Sequence, residues 1–346
     1  MARQGAVKPI SLALQGGGAH GAFTWGVVDR LLEEEGFSIA GISGTSAGAM
    51  NAVVMASGLA RGGPSEARAA LANFWRDVSR DGRLSPLQRT AFDRIMGNWS
   101  LAKNPAYLAF EVASRFLSPY DFNPLNINPL REIVEAHADF EAIRASDVKV
   151  FISATNVHTG RARIFGHEDM TADAVMASAC LPFIFQAVEI DGVPYWDGGY
   201  MGNPPLLPLY QHVGADDIVL VQINPVLREE TPRTAAEIQN RINEITFNAS
   251  LLAQLRAIDQ VTQLIEQKLL SRLALGTSGF RRVRLHRVGG ADQLVDFDLS
   301  SKLNAEWAFL QHLRDLGRAA ADTFIVTHGA DVGRKSTLDL RLELAD

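Results

Sequence analysis

The sequence predicts an α/β fold with a mostly parallel central sheet flanked by helices, and three observations predict it. Strand-length apolar runs alternate with stretches of three-to-four apolar spacing through the first half of the chain, the pattern of parallel crossovers. Two strand-to-helix junctions carry glycine clusters, Gly16-Gly17-Gly18-Ala19-His20-Gly21 and Gly44-Thr45-Ser46-Ala47-Gly48. Hydrophobic residues make up 47% of the 346 residues and charged residues 21%, enough apolar material for one large core.

The elements follow in order. Residues 10–14 read as a short buried strand that the glycines of 16–21 break. Residues 22–32 read as a helix, with Phe23, Val27, Val28 and Leu31 on one face and Gly36 as its stop. Residues 37–42 read as a second strand, 43–46 as a turn, and 47–56 as a helix rich in small side chains. Residues 82–122 interrupt the alternation, mixing turn residues with Phe92, Trp99, Tyr107, Phe110, Phe116 and Tyr120. This stretch is expected to be a helical insertion, either an ordinary packed subdomain or a lid or interfacial patch over the site.

Strands are expected again at 148–155 and 161–165, then a helix at 171–178. Asp191-Gly192 is a strong hairpin signal between strands at 187–190 and 193–196. Residues 218–223 read as a core strand. The segment 231–270 is a long helix that opens on a capping box, Thr234 with Glu237. Its Ile238, Ile242, Ile245, Leu252, Leu255, Ile258, Val261 and Ile265 recur at three-to-four spacing; core packing is the default use of that face and a homodimer interface the alternative. Arg281-Arg282-Val283-Arg284 alternates like an edge strand, either a solvated face or a contact for anionic lipid. The expected organisation is a catalytic core over 9–224 that includes the insertion, with 225–346 as a helical and strand extension packed on the same domain.

Composition excludes several function classes. A net charge of −6 with no basic stripe argues against nucleic-acid binding. The single cysteine, Cys180, rules out an intrachain disulfide framework and zinc-finger spacing, and reads as a buried small hydrophobe. No long apolar region follows the amino terminus and no uncharged run is long enough to span a bilayer. The expectation is a cytoplasmic protein whose membrane contact, if any, is peripheral.

The chemistry is concentrated in three motifs. Gly16, Gly18 and Gly21 match G-x-G-x-x-G between a strand and a helix, a nest of N–H groups that can hold a phosphate or an oxyanion. A dinucleotide would require an acid at the end of the second strand, yet that strand ends Ile42-Ser43-Gly44, and Glu33, Glu34 and Glu35 lie too early. Gly44-Thr45-Ser46-Ala47-Gly48 matches G-x-S-x-G in the strand–turn–helix setting that the motif requires. There a serine hydroxyl projects from a sharp turn, and the flanking glycines and alanines let the backbone and the following helix come close. The bland alternative is a glycine-rich turn with an N-cap serine.

A serine hydroxyl needs a base. His212, His286, His312 and His328 lie downstream without a distinctive setting, whereas Asp197-Gly198-Gly199 ends a predicted strand, at the edge where parallel sheets carry their sites. Asp-Gly-Gly alone could equally be a turn.

Taken in order, the three motifs resemble the patatin-like phospholipase family. Ala177-Ser178-Ala179-Cys180-Leu181-Pro182-Phe183 and Asn203-Pro204-Pro205 are similar to signatures that members carry at these places, so the resemblance spans roughly 9–224. It implies a three-layer patatin-like fold and a Ser46–Asp197 dyad without histidine. It further implies an oxyanion hole from residues 16–21 and hydrolysis of acyl esters of phospholipids and other lipids with no metal and no cofactor. Gly44, Thr45, Ala47, Gly48, Gly198 and Gly199 would support the motifs. Many members carry Arg or Lys where this chain has His20, so a titratable imidazole stands in place of a fixed charge; it would support the loop or, as a lesser reading, act as a base. Two alternatives stay open: acyl transfer or thioester cleavage by the same dyad, and a catalytically silent lipid-binding or interaction module.

Overall fold

A computed structural model describes residues 7–82, 85–267, 281–289 and 291–343. Its sheet is built from β1 (Lys8–Leu14), β2 (Phe37–Gly44), β3 (Lys149–Asn156), β4 (Ala162–Phe165), β5 (Val188–Ile190), β6 (Val193–Asp197), β7 (Asp217–Gln222) and β8 (Arg284–Gly289). Hydrogen-bonded neighbours run in the order β5-β6-β3-β2-β1-β7-β8, and β4 pairs with β3 besides. The pairs among β3, β2, β1, β7 and β8 are parallel; β4, β5 and β6 join antiparallel.

Around the sheet lie α1 (Gly21–Leu31), α2 (Ala47–Gly82), α3 (Ala91–Ile95), α4 (Pro105–Ala113), α5 (Pro119–Phe122), α6 (Leu130–His137) and α7 (Phe140–Ala145). They are followed by α8 (Ala172–Ser178), α9 (Leu207–His212), α10 (Ala235–Glu266), α11 (Ala291–Leu294), α12 (Trp307–His328) and α13 (Leu340–Glu343).

Strand alternation makes the molecule three layers deep. Ile10, Leu12 and Leu14 of β1 and Val219 and Val221 of β7 point into one core, against Phe23 and Val27 of α1, Val53 of α2 and Leu313 of α12. The intervening Ala13, Ile218 and Leu220 point into a second core, against Leu209 of α9 and Leu251, Leu255 and Ile258 of α10. The central strands are therefore apolar on both faces, as parallel sheets are. Full burial of each such aliphatic side chain stabilises by about 1.5–3 kcal/mol.

Several expectations need correction. The helix expected over 47–56 continues to Gly82, bending at Gly63 (φ 75°) ahead of Pro64. The long helix carries the expected capping box at Thr234 and Glu237, but its face is not uniformly core. Leu255 and Ile258 are buried, whereas Ile238, Ile242 and Ile245 are exposed, because the buried side of that half is Glu244, Phe247 and Asn248. Residues 268–270 of the expected helix lie outside the described residues. The basic run is not itself an edge strand: β8 begins only at Arg284, although β8 is the sheet's edge. Arg281 is held in the preceding segment by Asp216 and by the carbonyls of Tyr210 and Val213. Periodicity did not single out α12, whose contact with α1 is backbone-close at Gly26 and Gly317.

The insertion divides. Trp99 packs inward, stacked on Phe309 and His312 with the Arg89 guanidinium 3.9 Å over its ring. Phe116 (83% exposed), Leu125 (80%), Tyr120 and Ile127 face out. The side chain of Phe92 lies outside the described residues.

Candidate active site

β2 and β6 meet end to end along one edge of β3. β2 pairs with β3 as far as Gly44 opposite Ile152, and β6 takes over with Asp197 opposite Ala154. β4 spans Ile152 through Thr155 on the other edge. The turn after Gly44 and the last residue of β6 therefore converge around Ser153. Asp197 does end its strand, as the sequence suggests, but the edge argument is corrected: β6 is antiparallel and reaches the site from the opposite direction.

Ser46 has φ 55°, a left-handed conformation that a residue with a side chain adopts only at a cost of order 1–3 kcal/mol. Its neighbours enforce the turn. A Cβ on Gly44 would lie 2.4 Å from the Gly48 carbonyl oxygen, one on Gly48 2.2 Å from that of Leu14, and one on Gly16 2.8 Å from Ser46 Cβ. Only glycine fits at these three backbone crossings. Ser46 N–H donates to Ser178 Oγ at 2.9 Å, Thr45 Oγ1–H to the Gly202 carbonyl, and Ala47 opens α2 directly behind.

Asp197 is fully buried (0% exposed), while Ser46 is 8% exposed. The Asp197 backbone is fixed by its N–H on the Cys180 carbonyl and by Thr155 Oγ1–H on its own carbonyl, both 2.8 Å. Oδ1 accepts the Gly199 N–H at 2.6 Å, and a Cβ on Gly198 would strike the Ser153 carbonyl at 2.0 Å. Oδ2 has no hydrogen-bond partner. The Ser46 hydroxyl lies near enough to favour the charged carboxylate without closing a bond to Oδ2. Burial dominates and pushes the carboxyl up to about 7, against Gly199 N–H, Ser46 and the Lys302 charge.

The glycine loop is braced from below. Gly16 N–H is taken by Asn203 Oδ1 at 2.7 Å, and its carbonyl accepts Asn224 Nδ2–H at 2.9 Å. Gln15 Oε1 accepts the N–H groups of Ile223 and Asn224, and its Nε2–H donates to Asn248 Oδ1, each at 2.8 Å. His20 N–H closes on the Gly17 carbonyl. Among the described residues no acceptor takes the N–H of Gly17 or Gly18, so these two loop donors stand free. Ala19 and Gly21 complete the short turn into α1.

His20 is buried beside Phe297 and Phe309. Ser301 Oγ–H donates to the Asp298 carbonyl, so it accepts from His20 Nε2–H at 2.8 Å, which sets the tautomer. Burial, with the Lys302 charge beside it, pushes this imidazole down to about 3, so His20 carries no positive charge at neutral pH. Among the other candidates, His286 bonds Asp217 at 2.9 Å, while His212 and His312 stack on Phe151 and Trp99. Cys180 is buried, its thiol donating to the Gln186 carbonyl.

Sequence reasoning missed Gln15, Asn224, Asn248 and Lys302, which are lone polar residues from four separate segments. Ser178 and Asn203 were visible only inside family-like signatures. A cavity of about 1430 Å³ is lined by Arg228, Arg241, Glu244 and Arg287 and not by Ser46 or Asp197. A second cavity of about 500 Å³ is lined by Met176, Cys180, Phe185 and Val188; neither Ser46 nor Asp197 lines it, although the Cys180 carbonyl accepts the Asp197 N–H. No group of three or more His, Cys, Asp or Glu among the described residues is disposed to hold a metal ion.

The family model described as Patatin-like phospholipase matches residues 12–210. A curated relative, a cGAMP-activated phospholipase of Pseudomonas aeruginosa (strain BWHPSA011 / Pa011), is 30% identical over 210 residues. The alignment covers 56% of this chain and 53% of the relative, so the chain spans about half the length of the curated relative it matches. Among solved structures, VipD from Legionella pneumophila aligns with 90% of this chain and 67% of its own, at a TM-score of 0.35 and 14% identity.

Proposed function

We propose, from the premise that this chain belongs to the patatin-like phospholipase family, that it hydrolyses lipid acyl esters with Ser46 as nucleophile and Asp197 as base. The observation that carries the reading is a serine held at positive φ beside a buried carboxylate with one unpartnered oxygen. Structural turns rarely retain such strain, whereas sites that present a nucleophile do.

The ester carbonyl oxygen lies on the free N–H groups of Gly17 and Gly18. Ser46 Oγ attacks the carbonyl carbon as Asp197 Oδ2 takes the hydroxyl proton, and the oxyanion gathers on the two donors. The bond to the leaving alcohol breaks, Asp197 returns the proton to that alcohol, and an acyl ester remains on Ser46. Water then attacks, Asp197 takes its proton, and the carboxylic acid leaves as Ser46 Oγ is reprotonated. An aspartate at its ordinary pKa is a weak base at neutral pH; burial that raises it toward 7 improves the match. Loss of one oxyanion donor typically costs about 3–4 kcal/mol.

Ser46→Ala should abolish hydrolysis of a short p-nitrophenyl ester in a protein that still folds, and Asp197→Asn should lower kcat by at least about a thousandfold. A fluorophosphonate probe should label Ser46 in the wild type. Near-wild-type turnover in either variant would sink the dyad, and no labelling of the folded chain would favour the silent lipid-binding reading. Product masses with water and with added alcohols or thioesters separate hydrolysis from acyl transfer.

A further inference from the structure

Lys302 sits where the glycine loop, Asp197 and the chain beyond residue 224 come together. Its ammonium donates to Asn224 Oδ1 and Asn243 Oδ1, both at 2.8 Å, and lies 5.7 Å from the Phe247 ring centroid. Both acceptors are neutral amides. No carboxylate lies within ion-pair distance of it among the described residues, although Glu244 and Asp197 act on it from farther off. Glu244 is itself engaged by Arg228 at 2.6 Å and Arg241 at 3.2 Å. The Lys302 charge is therefore not cancelled locally, and in a site of low dielectric its field reaches the reacting atoms.

Three contacts tie that charge to the loop. Asn224, polarised by the ammonium at Oδ1, donates Nδ2–H to the Gly16 carbonyl at 2.9 Å, a relay in which each hydrogen bond strengthens the next. The Lys302 carbonyl backs Gly18 so closely that a Cβ there would sit 2.4 Å away, at a φ of +59°. Next to it, Ser301 holds His20. The loop's own imidazole is neutral, and among the described residues Lys302 is the cation whose charge acts on Asp197. We propose that Lys302 is a positioning residue that holds the oxyanion loop and electrostatically favours both the oxyanion and the ionised Asp197. The inference rests on the Ser46–Asp197 reading.

The groups facing Lys302 are Asp197 on β6, Glu244 on α10 with its two arginines, and His20 at the start of α1. Burial brings the Lys302 ammonium down to about 8. The cation is lost above that pH, and its loss should depress turnover on the alkaline side.

The test is the pH profile of ester hydrolysis from about pH 5 to about pH 10 for the full chain, Lys302→Gln and Lys302→Arg. Lys302→Gln should lower kcat at least about tenfold with KM changed less than about threefold. It should also move the acid limb to higher pH, because Asp197 loses a favourable charge. Lys302→Arg should recover kcat and keep activity where the wild type declines. Should Lys302→Gln not fold, the wild-type profile decides alone: a fall in kcat centred near about 8 supports the inference, and a flat alkaline limb overturns it. Equal losses in both variants with neither limb moved would mark a packing role and overturn it too. If Ser46→Ala is inert while Lys302→Gln matches the wild type, this inference alone falls; if Ser46→Ala turns over, the dyad reading falls first.

Discussion

Asp197 carries the stability consequence of the proposed chemistry. Its carboxyl ordinarily titrates near 3.8 and in the fold near about 7. Between those values the native state keeps a proton that the unfolded chain releases, so stability falls as pH rises across that window. Below it the neutral carboxyl costs nothing further. Asp197→Asn stays uncharged throughout and keeps an acceptor for Gly199 N–H. It should therefore melt above the wild type at pH 8 and match it near pH 4, while losing turnover. A variant less stable than the wild type at pH 8, by calorimetry, would contradict the burial argument. The same titration predicts that kcat/KM rises with pH through about 7. Asp-Gly-Gly was legible in the sequence as a motif, and a base at neutral pH called for a raised pKa; which residues desolvate it was not legible, because they come from chain that the motif does not contain.

The tightest joint between elements is α1 against α12. A Cβ on Gly26 would lie 1.9 Å from the Arg314 carbonyl oxygen, and one on Gly317 2.0 Å from that of Phe23. Two backbones touch there, with no side chain able to give way. Gly317→Ala should cost about 1–3 kcal/mol or more by overpacking and lower the melting midpoint by several degrees. Because α1 begins at Gly21, where the glycine loop ends, the folded fraction should also hydrolyse ester more slowly; an unchanged midpoint would remove the argument. The first strand–helix–strand–helix run was readable because short apolar runs bounded by glycines differ sharply from three-to-four apolar spacing. The meeting of β2 with β6 was not, since nothing local records that a hairpin inserts antiparallel beside β3.

At the scale of the whole molecule, about half of the exposed large apolar side chains among the described residues fall on the insertion and its continuation, the others being spread over several elements, α10 among them. Ile95, Met96, Val112, Phe116, Leu125 and Ile127 are all exposed. The patch is fastened to the chain that leads into the site: Gln186 Nε2–H donates to the Asn123 carbonyl at 2.8 Å, and Tyr120 Oη accepts Ala187 N–H at 3.3 Å. If the proposed acyl-ester hydrolysis holds, contact with a lipid surface would suit such a face. Phe116→Ser with Leu125→Ser should lower hydrolysis of phospholipid vesicles at least about tenfold, as two bulky side chains leave the bilayer. The rate on a soluble p-nitrophenyl ester should not change, and equal rates on vesicles would remove the lipid-facing role. No described helix is long and apolar enough to cross a membrane.

The sequence by itself determined the layered α/β architecture, the serine turn and the glycine loop. Each is written in consecutive residues whose conformational needs are local: glycines where a backbone crosses within van der Waals distance, and a serine between a strand and a helix. Tertiary structure alone decided the rest. It joined Gln15, Asn203, Asn224 and Asn248 into a brace, left two loop donors free, made His20 neutral by burial, and brought Lys302 beside the loop from nearly three hundred residues away. Those properties depend on desolvation and on contacts between distant segments, and no window of sequence holds both partners.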